Sequence, residues 1–85
     1  MAEYEVSGIK FELDVEQLAD DWDFVEMCGE LEDKPVKAPK VLRYILGDQY
    51  PDVTDKLRDK NGKLKSSVVM DFFGQVVDLV SELKN

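Results

Sequence analysis

The sequence predicts an α+β, mostly α fold: an N-terminal two-stranded β-hairpin followed by three to four helices. Three observations predict it. Residues 4–13, YEVSGIKFEL, alternate apolar and polar side chains on both sides of Ser7-Gly8. Beyond residue 14 the apolar residues recur at helical spacing instead. Proline and glycine then cut the helical stretch into short pieces at Pro35, Pro39, Gly47, Pro51 and Gly62. At 85 residues the chain suits one domain, with residues 1–13 as hairpin and 14–85 as the helical part.

With Ser7-Gly8 as the turn, Val6 faces Ile9, Tyr4 faces Phe11 and Ala2 faces Leu13. Every apolar residue then lies on one face, and Glu3, Glu5, Lys10 and Glu12 lie on the other. A two-stranded ribbon is marginal alone, so it must lie on the helices or pair with another chain. Asp14 follows as a helix N-cap, with Gln17 at the capping-box position. One continuous helix over 15–33 would carry Asp20 toward the side of Phe24 and Leu31. A break near 19–21 avoids this, with Asp20 or Asp21 capping the main segment. Residues 32–40, EDKPVKAPK, read as a loop. Pro39 then opens a helix that Gly47 ends, with Val41, Leu42, Ile45 and Leu46 as its core stripe. Pro51 opens a further short helix that points Val53 and Leu57 inward. The turn DKNGK, with Gly62 left-handed, stops it. Ser66 or Ser67 is expected to cap the last helix, whose stripe is Val69, Phe72, Phe73, Val76, Val80 and Leu83.

Charge and composition exclude several classes of function. The net charge of −8 divides into −11 over residues 1–33, +5 over 34–65 and −2 over 66–85. So acidic a first third argues against a grip on nucleic acid. The basic middle is interleaved with Asp48, Asp52, Asp55 and Asp59; it suits a solvated surface that attracts the acidic part of its own or a neighbouring copy. The opening residues have neither a basic start nor an apolar run, and no apolar cluster is long enough to span a bilayer. With a single cysteine and no histidine, the expectation is a soluble cytoplasmic protein in a reducing compartment.

The segment DDWDFVEMCGE, residues 20–30, raises the question of chemistry most directly. Cys28 has Glu26, Glu30 and Asp33 as near neighbours, which disfavour a thiolate, and it falls at helical spacing with Phe24 and Leu31; it reads as a small apolar packing residue. Asp21-Trp22-Asp23 resembles the start of a calcium loop. The next ligand position is Val25, however, and Glu26 stands where such loops require glycine, so no metal site is expected. Acids in a first helical turn oppose the helix dipole. Without histidine the usual base near neutral pH is missing. No Gly-rich phosphate cradle occurs, and no cofactor and no enzymatic activity are expected.

What remains is surface. On a helical wheel, Met27, Leu31, Phe24, Cys28, Val25 and Trp22 span an arc of about 220°, and the apolar residues of the last helix span about 200°. An ordinary surface helix shows a stripe not much wider than about 100°. Either each helix is sandwiched between neighbours or part of each face meets another protein. Trp22 itself reads as a core residue at the seam between hairpin and helix, or else as the edge of an interface.

The acidic-aromatic DDWDFVEMCGELED, followed by APKVLRYILGDQYPDVTDKLRDKNGKLKSSVVMDFFGQVVDLVSELKN, resembles the small tail assembly chaperones of long-tailed phages and prophages. The likeness spans residues 14–85. It rests on an acidic helix with W-x-F, a P-x-x-L-x-x-x-L-G helix, and L-R-D-x-x-G before an apolar helix with F-F. The resemblance implies a protein that binds the long tape measure protein in the host cytoplasm, keeps it soluble while tail tube subunits polymerise around it, and leaves before the particle is complete. It also implies, for many members, a longer form made by ribosomal frameshifting, which recruits tube subunits. The expected contact residues, to a client or in a homo-oligomer, are Trp22, Phe24, Tyr44, Tyr50, Phe72 and Phe73. Tyr50 is included because it precedes Pro51 in a predicted loop, where an aromatic is less easily buried. The competing reading is a small acidic interaction module, or a nucleic-acid mimic that inhibits a basic partner. No nucleic acid and no membrane are expected as partners.

Overall fold

A computed structural model describes the backbone of residues 2–84 and the side chains of residues 2–82. The fold class is α+β and mostly α, with an N-terminal antiparallel hairpin. Strands β1 (Ala2–Val6) and β2 (Ile9–Leu13) are followed by helices α1 (Val15–Ala19), α2 (Trp22–Glu30), α3 (Ala38–Leu46), α4 (Tyr50–Leu57) and α5 (Ser66–Lys84).

The hairpin has the register that the alternation dictates: Val6 opposite Ile9, Tyr4 opposite Phe11, Ala2 opposite Leu13. Ser7 and Gly8 both take positive φ, 54° and 78°. That pair of values marks the two-residue turn whose twist matches that of the strands. Val6, Ile9, Phe11 and Leu13 are buried on the inner face. The ribbon is not left as an isolated pair. The side-chain amide of Gln49 docks on the outer edge of β2: the Glu12 N–H donates to Gln49 Oε1 at 2.7 Å, and Gln49 Nε2 donates to the Glu12 carbonyl at 2.8 Å. One side chain 37 residues away thus completes the backbone pairing of an exposed strand edge. Gln49→Ala is expected to lower stability by about 1 kcal/mol, the net value of the lost hydrogen bonds at a partly exposed site. Urea titration would measure it, and amide exchange at Glu12 should accelerate in the same variant.

The helix break falls where the acidic pattern places it. Asp14 caps α1 by accepting from the Gln17 N–H at 3.1 Å, and Asp21 caps α2 by accepting from the Phe24 N–H at 3.3 Å. Residues 35–37 form one turn of 3-10 helix within the expected loop, and a second such turn, Gly47–Gln49, joins α3 directly to α4. Val41, Leu42, Ile45 and Leu46 are all buried on α3, and Val53 and Leu57 on α4. Thr54 is buried as well; its hydroxyl donates to the Tyr50 carbonyl at 2.9 Å, which offsets the desolvation of the oxygen. The turn after α4 is closed by Asp59, whose carboxylate accepts from the N–H groups of Asn61 and Lys63, and Gly62 sits at φ 81° as expected. The start of α5 differs from expectation. Ser66 is already its first helical residue, and the Lys65 carbonyl accepts from the Val69 N–H, so neither serine lies ahead of the helix in the cap position.

Helix α5 packs one face against β1, α1 and α4, while, among the described side chains, its polar residues, Val68 and Met70 are exposed. Phe72 and Val76 have no exposed surface, and Phe73 and Val80 are nearly as buried. Leu83, expected on the same stripe, lies outside the described side chains. The buried residues of α5, Phe72, Phe73, Val76 and Val80, fall within about 100° of the wheel, the stripe of an ordinary surface helix, and Val68 and Met70 at the edges of the roughly 200° arc are exposed. Helix α2 likewise leaves much of its arc uncovered. Its buried residue is Phe24, while Val25, Met27, Cys28 and Leu31 are half-buried and Trp22 is exposed.

Candidate functional site

The six aromatic residues expected to make partner contacts separate into three groups. Phe24 and Phe72 are 4 % and 0 % exposed and belong to the core. They are corrected accordingly: a partner cannot reach either ring on the surface of this fold. Trp22 and Tyr44 are exposed, at 70 % and 44 %. The core reading of Trp22 at the hairpin–helix seam is therefore also corrected. The reason lies in α1, which packs on α5 and so leaves the start of α2 at the periphery. Phe73, 5 % exposed, belongs with Phe24 and Phe72 in the core and only backs a surface groove, so it is corrected in the same way. Tyr50 forms the third group, packing into the core on one side and lining the groove on the other. Tyr50 opens α4 rather than lying in a loop, and it is half-buried with the Arg43 guanidinium over its ring, 4.8 Å from the centroid.

The groove has a volume of about 510 Å3 and runs between the start of α3 and the start of α5. Its walls are Pro35, Val36, Pro39, Leu42, Tyr50, Leu64, Val69, Met70 and Phe73, with Ser66 as a polar member. Pro35, Pro39 and Ser66 are exposed, and among its large apolar residues Val36 is 85 % and Met70 42 % exposed. Sequence reasoning missed Val36, because a lone valine in a proline-lysine loop belongs to no periodic stripe. Met70 lies at the margin of the α5 arc, where a wheel does not separate core from surface.

The second place of interest is the junction of α1 and α2. There the Tyr44 hydroxyl, from α3, donates to a carboxylate oxygen of Asp21. This bond, supported by the backbone N–H groups of Phe24 and Asp23, holds the Asp21 carboxyl below its ordinary value of 3.8, against the opposing effect of desolvation. The same bond, with the nearby negative charge, raises the Tyr44 hydroxyl above its ordinary value of 10.0. The signs fix two limbs of a stability profile. The lowered carboxyl gives a contribution that is fully present above about pH 4 and is lost as pH falls through the folded-state value. The raised phenol gives one that is present below about pH 10 and is lost as pH rises through its folded-state value. Tyr44→Phe is expected to flatten both limbs. Thermal midpoints of the two proteins across the pH range would check it.

On the far side of α2, Lys37 Nζ pairs with Glu30 at 2.8 Å. The Glu30 carboxyl is held below its ordinary range chiefly by that bond and then by the charges of Lys37, Lys40 and Lys34. Glu30 thus marks the boundary between the acidic and basic surfaces. Cys28 is half-buried and packs against the core. Among the described residues no group of three or more cysteine, aspartate or glutamate side chains is arranged to hold a metal ion, and no helix is long and apolar enough to cross a membrane.

Two apolar features stand out on an otherwise highly charged surface: the exposed Trp22 and the groove. Comparison with protein-family models, with curated proteins and with solved structures finds no match.

Proposed function

We propose that this chain is an assembly chaperone of the kind that serves long-tailed phages, holding a tape measure protein soluble in the host cytoplasm while tube subunits polymerise around it. The observation that carries the reading is exposed apolar surface on a small, strongly charged domain: Trp22, Val36, Tyr44 and Met70 all stand open to solvent. Apolar grooves receive the apolar face of a client helix, and net charge keeps the complex in solution. The order of acidic W-x-F helix, P-x-x-L-x-x-x-L-G helix and F-F helix supports the same reading through its resemblance to that family. Contact residues are the exposed Trp22 and Tyr44, and Tyr50 at the groove.

The reading is tested first at the gene. A tail assembly chaperone is expected to have a slippery heptamer near the codon for Lys84, an overlapping second frame, and a very long helical reading frame downstream. A locus with none of these, among unrelated or regulatory genes, would contradict the assignment.

A second reading has its own observation. Glu16, Asp20, Asp23 and Glu26 are all exposed on α1 and α2 and in the turn between them, where they could stand in for phosphates before a basic partner. Such binding collapses with added salt. Binding through apolar grooves weakens far less.

A further inference from the structure

The two apolar features are complementary to each other in shape and in charge, and we infer that the chain assembles head to tail, Trp22 of one copy seating in the groove of the next.

The convex partner is Trp22, 70 % exposed at the first turn of α2. Its collar is wholly acidic: residues 20–26 hold Asp20, Asp21, Asp23 and Glu26 and no base. The helix start that carries it is fixed, since Asp21 caps the helix and receives the Tyr44 hydroxyl.

The concave partner is the groove of about 510 Å3, within the size range of pockets that enclose ligand-sized groups. The two chain segments that border it, residues 34–40 and 60–65, each carry three lysines, with Glu32 and Asp33 just before the first and Asp59 just before the second. Glu30 reaches toward the first of these and neutralises Lys37; Asp71 follows Met70 on α5. The balance at the groove remains positive, opposite to that around Trp22. An apolar knob in an acidic collar and an apolar groove with a basic rim form a matched pair, which favours a second copy as the occupant.

The pair cannot close within one chain. Trp22 and Glu30 lie at opposite ends of α2, about 12 Å apart along the axis, and the groove lies beyond the Glu30 end. The two patches share no residue. A contact between different patches is heterologous, so it leaves one knob and one groove unfilled and either closes into a ring or grows. This inference does not depend on the chaperone reading.

Sedimentation of the full chain without any client tests it. The wild type is expected to gain mass with concentration. Trp22→Ala and Val36→Asp should each weaken association at least about tenfold, the effect of losing an interface anchor. Both sites are open to solvent, so the variants should keep their thermal midpoints. The decisive sample is a mixture of the two. Trp22→Ala retains an intact groove and Val36→Asp retains an intact tryptophan, so together they should form a 1:1 complex that grows no further. A wild type that stays monomeric at every concentration would overturn the inference. So would variants that assemble as well as wild type, or a mixture with no heterodimer.

Discussion

Phe72→Ala is expected to remove about 3–5 kcal/mol of stability, the range for deleting a fully buried phenylalanine where the surroundings cannot collapse. Phe72 has no exposed surface and sits on the helix that the hairpin, α1 and α4 all pack against. Its ring meets Phe11 edge-on, with centroids 5.5 Å apart. Such a pair contributes about 0.5–1.5 kcal/mol beyond burial alone. The substitution therefore weakens the seating of the hairpin as well as opening a cavity. A domain of this size shifts its midpoint by about 4–8 °C per kcal/mol, and its total stability is expected near the low end of about 5–15 kcal/mol. A large share of Phe72→Ala molecules should be unfolded at room temperature. Urea titration with circular dichroism checks this; a loss under about 1 kcal/mol would contradict the core position of Phe72.

Gly47→Ala is expected to lower stability by about 1–3 kcal/mol through the backbone alone. Gly47 ends α3 at φ 56° and ψ −126°, a conformation that a Cβ strongly disfavours. A Cβ built there meets no atom within 4 Å, so no steric clash contributes. The cost is conformational, and the conformation lets the chain turn from α3 into α4 in three residues. Because α4 holds Val53 and Leu57 in the core, relaxing the strain would mean giving up that packing. Gly47→Asn should lose a similar amount, since ψ −126° lies outside the left-handed region that asparagine tolerates. Equal stability of all three proteins would refute the strain argument.

The parts that could be read from sequence are those decided by local rules. The hairpin register follows from period-two alternation around Ser7-Gly8, and any slip would turn Phe11 outward. The break between α1 and α2 follows from the polarity of Asp20 and the capping chemistry of Asp21. The end of α3 follows from Gly47. Tertiary choices left weaker marks. The arc on α2 and the arc on α5 look alike on a wheel, yet among the described residues α5 buries Phe72, Phe73, Val76 and Val80 and α2 buries Phe24 alone. The burial of Phe72 follows the helical stripe, whereas the exposure of Trp22 depends on how the helices pack and not on local pattern. Tyr50 seemed open beside a proline, but the 3-10 turn at Gly47–Gln49 extends into α4 and places the ring against the core. Gln49 had no signature at all: nothing in a surface glutamine predicts that its amide will complete a strand edge 37 residues earlier.

The exposed aromatics and the groove are the same features that make the molecule a binding protein in this account. The tape measure protein expected downstream in the same locus provides the most direct test. It should be expressed alone and together with this chain, and its soluble fraction measured in low and high salt. The account predicts that the client is insoluble alone, soluble with the chain, and still soluble when salt is raised. A client equally soluble with and without the chain, or one that falls out of solution as salt rises, would contradict it.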